Sequence, residues 1–125
     1  GWDPGYLDAV EWRTVAGGFG QPGPATVWTQ LRVDLLAGEA PSGVQRVCAV
    51  ADSGSGISAL DAPARLVFVN TDLTIHLVRE PDGPAVWMAS TTTLDPAGIG
   101  LARTTLGDAR GELGTAAQTL FVAPR

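Results

Sequence analysis

The sequence predicts an α+β domain in which one antiparallel sheet wraps a single central helix. Three observations predict it. Apolar–polar alternation fills most of the chain, the period changes to that of a helix once, near residues 42–60, and turn-forming clusters separate the alternating runs. At 125 residues the chain suits one domain around one hydrophobic core.

The elements follow in order. Residues 10–15 (Val-Glu-Trp-Arg-Thr-Val) alternate and read as a half-buried strand. Gly17, Gly18, Gly20, Gln21, Pro22, Gly23 and Pro24 form a loop that no regular element tolerates. Alternation resumes over residues 25–36, with Val27, Thr29, Leu31, Val33 and Leu35 on one face, and Gly38 ends this long strand. Val44, Val47, Cys48 and Ala51 then fall at i, i+3, i+4 and i+7, the stripe of an amphipathic helix, which places Cys48 in the core. Its start is either Ser42 as N-cap or Pro41 in the first turn. Asp52-Ser53-Gly54-Ser55-Gly56 interrupts or ends it, with Ile57, Ala59 and Leu60 as an extension.

From Leu66 onward the pattern is β alone. Leu73, Ile75 and Leu77 alternate with Asp72, Thr74 and His76, and Glu80-Pro81-Asp82-Gly83-Pro84 is a turn. Residues 86–94 are rich in Thr, Val and Trp. Asp95-Pro96-Ala97-Gly98 turns the chain. Residues 100–106 and 114–122 flank a hairpin loop at Asp108-Ala109-Arg110-Gly111. The order is two strands, one helix, then about four strands, which by pattern alone also permits other helix-on-sheet rolls.

Composition narrows the function. Apolar residues make up 45% and charged residues 17%, which is globular composition. The net charge is −5, and the eight basic residues, all Arg, form no stripe, so nucleic acid is not an expected partner. No apolar run approaches the roughly 20 residues of a membrane span, and no signal peptide is visible. Cys48 is the lone cysteine, so it forms neither an intramolecular disulfide nor a thiolate zinc site, and it fits a reducing, cytoplasmic setting. The chain opens Gly1-Trp2-Asp3 without Met, as a processed chain or an excised fragment would, and any upstream targeting signal would then be lost.

Four stretches stand out: Arg46-Val47 through Ala51-Asp52-Ser53-Gly54, Phe68-Val69-Asn70-Thr71-Asp72-Leu73-Thr74-Ile75-His76-Leu77, Gly98-Ile99-Gly100-Leu101-Ala102 with Asp108-Ala109-Arg110-Gly111, and Ala117-Gln118-Thr119-Leu120. Together they resemble the TesB-like, acyl-CoA-thioesterase-like double-hotdog family. They run from about Tyr6 to Arg125 in the family's order, and their joint order and spacing carries the resemblance. The resemblance implies that residues 1–125 are a single hotdog domain, the C-terminal half of a double hotdog. Its partner is a second hotdog, either an N-terminal half outside this chain or a homodimer mate. It further implies hydrolysis of acyl-CoA or a related acyl thioester in lipid metabolism, with no cofactor. In the family a helix Asp, a last-strand Gln and a short hydroxyl residue position the hydrolytic water. Asp52 and Gln118 match the first two. Anchoring on His76 puts Phe68 where the hydroxyl would fall, leaving Asn70 or Thr71 as substitutes.

The chemistry explains why those residue types are wanted. Thioester hydrolysis needs water to attack a carbonyl while charge develops on its oxygen. A carboxylate orients that water and accepts its proton, a neutral amide offers both donor and acceptor to hold it, and backbone N–H groups near Gly54 and Gly56 can face the oxyanion. No metal is required. The structural readings stand beside these: Asp-Ser-Gly is a common turn former, Gln118 on an alternating strand can be a solvated residue, and Asn70 and Thr71 can shape the strand entry. His76 is a packed or hydrogen-bonded residue on this reading, and Gly54-Ser55-Gly56 is no nucleophile elbow. Trp2, Trp12, Trp28 and Trp87 are expected in the core or against a partner rather than along an acyl tunnel. The alternative function is a non-catalytic acyl-binding or assembly hotdog, with a hotdog dehydratase a weaker third.

Overall fold

The computed structural model describes residues 5–18, 21–59, 66–95 and 97–124. A four-residue helix α1 (Gly5–Asp8), which has no forerunner in the apolar pattern, leads into β1 (Val10–Ala16) and β2 (Ala25–Leu31). Two short helices follow, α2 (Gly43–Ala51) and α3 (Gly54–Ile57). Five strands complete the chain: β3 (Leu66–Asn70), β4 (Thr74–Leu77), β5 (Ala85–Asp95), β6 (Ile99–Asp108) and β7 (Gly111–Pro124). All pairings are antiparallel, in the order β1-β2-β5-β6-β7-β3, and β4 also pairs with β7. The helices α2 and α3 lie on one face of this sheet, α2 against β2, β5 and β6 and α3 against β5, β6 and β7. The single change of period therefore does mark a helical layer wrapped by one sheet.

Alternation decides which side chains meet the helices. Ala25, Val27, Val86, Met88, Leu106, Leu113 and Ala116 point inward from the strands and pack with Val47, Val50, Ala51 and Ile57. Burying each large aliphatic side chain contributes about 1.5–3 kcal/mol, so this cluster is the main stabilising element. A smaller cluster of Ala102, Leu120 and Val122, with Leu66, Phe68 and Leu94 against it, fills the far end. Two aromatic handles are satisfied on the backbone: Trp12 Nε1 donates to Leu7 O at 3.1 Å and Trp87 Nε1 to Asp108 O at 3.1 Å. Trp28 is half-buried, and Trp2 lies outside the described residues.

Two expectations need correction. The second strand ends at Leu31, not near residue 36. Its neighbours stop there: Leu31 pairs with Val10, the first residue of β1, and Gln30 with Ala85, the first of β5. With no ladder to join, residues 32–39 bend away, leaving Val33, Leu35 and Leu36 exposed. The buried stripe of α2 is Gly43, Val47, Val50 and Ala51, so Cys48 is exposed rather than core. The helix is rotated because Gly43 sits against the 80–84 turn, where an added Cβ would be 2.7 Å from Pro81 O.

Ser42, not Pro41, starts α2. Its Oγ accepts from Gln45 N at 3.1 Å, while Gln45 Oε1 accepts from Ser42 N at 2.9 Å, a complete capping box. In a nine-residue helix, one cap is a large share of local stability. Ser42→Ala should lower unfolding free energy by about 1 kcal/mol. A urea midpoint unchanged from wild type would contradict this.

The β6–β7 hairpin turns through Ala109 and Arg110, with Asp108 opposite Gly111 and Gly111 at φ 119°, a conformation that favours glycine. Asp108, 2% exposed, ties this turn to the 79–82 segment. It accepts from Arg79 Nη1 at 2.7 Å and Nη2 at 2.6 Å, and from the backbone N–H of Asp82 and Arg110, each at 2.9 Å. The bidentate Arg79 guanidinium, helped by the two N–H donors, holds its carboxyl far below the usual carboxylate range despite burial. A lowered folded pKa means this stabilisation is present above about pH 4 and is lost as acid carries the pH down toward the folded value.

Candidate functional site

The helical layer breaks where its last turn meets the sheet. Asp52 caps α2, Ser53 N donates to Val50 O at 3.0 Å, and the chain restarts as α3 one residue later. Such a break strands a carbonyl, here that of Asp52. Gln118 on β7 answers it, its Nε2 donating to Asp52 O at 3.0 Å. Gln118 shares the inward face of β7 with Ala116 and Leu120 and is 1% exposed, so it is no solvated residue.

The edge of the sheet is interrupted opposite this point. Asn70 pairs with Leu120 at the end of β3, and Thr74 resumes pairing with Ala117 at the start of β4. In the gap, Thr71 N and Oγ1 donate to Thr119 O at 2.9 and 3.1 Å, and Asp72 Oδ1 accepts from Thr119 N at 2.7 Å. Side chains thus supplement a single main-chain bond across the gap, and Asn70 reaches the break between α2 and α3.

The result is a closed ring of four residues, three joined through side chains and Ser55 through both its side chain and its backbone N–H. Asp52 Oδ1 accepts from Gln118 Nε2 at 2.6 Å and Asn70 Nδ2 at 2.9 Å. Ser55 on α3 closes the other side: its N–H donates to Gln118 Oε1 at 3.3 Å and its hydroxyl to Asn70 Oδ1 at 3.0 Å. Among the described residues no hydrogen bond reaches Asp52 Oδ2. Three of the four residues singled out from sequence, Asp52, Asn70 and Gln118, meet here. Thr71 does not join them, because its hydroxyl is taken by β7, and Phe68 packs in the smaller apolar cluster. His76 is exposed on β4 and takes no part.

Beneath the ring lies a floor of paired hydroxyls. Ser90 and Thr104 are 2.7 Å apart across β5 and β6, Ser58 and Thr92 are 2.8 Å apart, and Ser58 donates to Gly54 O at 2.7 Å. Behind the ring, Tyr6 of α1 donates its phenol to Ala49 O at 2.7 Å and lies 2.9 Å from Ser53 Oγ. Burial raises the Tyr6 pKa, the Ser53 hydrogen bond opposes this, and the Asp52 charge adds to the rise, so the phenol stays protonated at neutral pH. Clefts of about 430 and 570 Å³, lined by Thr91, Arg103 and Thr105 and by Ile99, Leu101 and Thr119, run along the opposite face of the sheet, away from Asp52. Asp52 itself is exposed beside β3, which among the described residues pairs with β7 alone. No group of three or more His, Cys, Asp or Glu converges as a metal site among the described residues, and none of their helices is long and apolar enough to cross a membrane.

The profile of the acyl-CoA thioesterase C-terminal domain family matches residues 1–122. The chain belongs to that family. It is a hydrolase domain of the acyl-CoA thioesterase type with the hotdog fold. Solved structures share that fold at low identity. A thioesterase family protein from Silicibacter pomeroyi is 15% identical, with 98% of this chain and 91% of that one covered and a TM-score of 0.66. A mutant of the phenylacetic acid degradation protein PaaI from Thermus thermophilus is 19% identical over 95% and 98%, with a TM-score of 0.66. A Streptococcus mutans protein bound to acetyl CoA is 18% identical over 92% and 90%, with a TM-score of 0.64. No curated protein matches the sequence. Within this thioesterase domain, Ser55 and Tyr6 are the polar residues at the ring that sequence reading does not single out. The run of helix breakers from Asp52 to Gly56 is the available signal, since it puts a turn and its polar side chains against the sheet.

Proposed function

We propose that this domain is the C-terminal hotdog of a TesB-like double hotdog that hydrolyses acyl-CoA or related acyl thioesters, in a cytoplasmic setting. The observation that carries the reading is the carboxylate of Asp52: two amides occupy Oδ1, and no hydrogen bond from the described residues reaches Oδ2. Water bound to Oδ2 gives its proton to Asp52 as its oxygen bonds to the thioester carbon, and the C=O electron pair moves onto oxygen. When that pair returns, the C–S bond breaks and the departing sulfur takes the proton from Asp52, leaving acid, thiol and the original carboxylate. Gln118 positions the water through the carboxylate, by fixing which oxygen it presents. Asn70 takes the place of the family's hydroxyl residue, holding the same oxygen from the other side.

The edge of β3 beside Asp52 that no other described strand covers supports a partner hotdog that lengthens the sheet and walls the cleft. Light scattering of the protein at high concentration should give a dimer, or a complex with an N-terminal hotdog. A strictly monomeric mass would contradict the pairing. Turnover is tested by following free thiol from short, medium and long acyl-CoA with the complete pair. Gln118→Ala should lower kcat by about tenfold, less than loss of the base, because it removes orienting hydrogen bonds. His76→Ala should leave kcat at the wild-type value. A second reading, an acyl-binding hotdog without turnover, is favoured by Phe68 standing where the family's hydroxyl is expected. It prevails if the wild-type pair hydrolyses none of the three chain lengths.

A further inference from the structure

Ser55 is the one residue of the ring that touches both amides and does not touch Asp52. We propose that Ser55 is a positioning residue that locks both amides with their NH2 groups toward Asp52, committing Oδ1 to the protein and keeping Oδ2 for water. The inference rests on the reading of Asp52 as the group that activates water.

A carboxylate only accepts, and a backbone N–H only donates, whereas a side-chain amide can turn either way. Gln118 lies between Asp52 Oδ1 at 2.6 Å and the N–H of Ser55 at 3.3 Å. Turned over, it would set oxygen against carboxylate and NH2 against N–H, at 1% exposure where neither clash finds water. Its orientation is therefore fixed by the backbone of residue 55. Asn70 is half-buried at the end of β3, and among the described residues no backbone N–H donates to its Oδ1, while its Nδ2 makes only a longer 3.4 Å contact with Asp52 O beside its bond to the carboxylate. The charge of Asp52 draws its NH2 inward, but that charge vanishes whenever Asp52 carries the water's proton. The Ser55 hydroxyl, donated to Asn70 Oδ1 at 3.0 Å, holds the amide through that interval. Ser55 thus acts on one amide through its backbone and on the other through its side chain.

The two locks are separable. Ser55→Ala removes the hydroxyl and keeps the N–H. In the intact protein labelled with ¹⁵N at Asn and Gln, the side-chain NH2 signal of Asn70 should then move to that of a solvated amide, while the Gln118 signal stays in place. Ser55→Thr, which keeps a hydroxyl, should restore the Asn70 signal. In hydrolysis assays Ser55→Ala should lower kcat about tenfold and leave KM within about twofold, and in an Asn70→Ala background it should cost less than about twofold more. An unmoved Asn70 signal in Ser55→Ala overturns the proposal, and so does a kcat loss of equal size with and without Asn70. The amide signals need no turnover, so they decide the lock even if Asp52→Asn proves fully active and the hydrolytic reading fails.

Discussion

Asp52→Asn should lower kcat for acyl-CoA hydrolysis by about 10²–10⁴-fold, the usual cost of removing a general base. The ring explains why this substitution is clean. The oxygen of Asn takes the place of Oδ1 and still accepts from Gln118 and Asn70. The NH2 group takes the place of Oδ2, so the atom that faces the cleft becomes a donor and can no longer accept a proton. Shape, packing and the cap at the end of α2 are kept, and thermal unfolding should match wild type closely. The assay is release of free thiol by the complete hotdog pair under saturating acyl-CoA. Wild-type activity in the variant would remove Asp52 from the chemistry while leaving the fold untouched.

Much of this architecture can be read from alternation, because a strand buried on one face shows its period directly. The β5–β6–β7 meander is the clearest case: Ser90, Thr92, Ala102, Thr104, Ala116, Gln118 and Leu120 all lie on the buried face that alternation assigns. Alternation fails where it continues without a partner. Val33 and Leu35 keep the period of β2, yet β1 and β5 have already ended, so the pattern has no ladder to join. The apolar stripe misplaces the buried face of α2 by part of a turn for a related reason. Cys48 and Val50 are both apolar, so the pattern does not decide between them, and it is Val50, on the side of Gly43 and its close approach to Pro81, that is buried. The site is legible in part. Asp52 and Gln118 are reached through family resemblance, and Asn70 through the departure at Phe68. Ser55 is not reachable that way, because its role exists only where residues from α3, β3 and β7 meet, and no local pattern encodes that meeting.

Gly54→Ala should destabilise the domain by about 1–3 kcal/mol, the cost of forcing a methyl into a packed interior. The added Cβ would sit 2.6 Å from Thr104 Oγ1, 3.5 Å from Gln118 Oε1 and 3.6 Å from Ser90 Oγ. Thr104 cannot yield easily, since it is 5% exposed and bound to Ser90 at 2.7 Å. Ala favours a helix over Gly by up to about 1 kcal/mol, so the sign rests on the clash outweighing propensity, and a contact under 3 Å with a buried, hydrogen-bonded atom makes it do so. Relief requires α3 to rise from the sheet, which would stretch the 3.3 Å bond from Ser55 N to Gln118 Oε1 and disturb the ring. Activity should therefore fall along with stability, although Gly54 supplies no functional group. Urea unfolding of Gly54→Ala with and without Thr104→Ala separates the causes. Thr104→Ala alone should cost about 1 kcal/mol by depriving Ser90 of its partner, but in that background Gly54→Ala should cost less than half of what it costs alone. An undiminished cost would mean that α3 is held off the sheet by something other than the Thr104 hydroxyl.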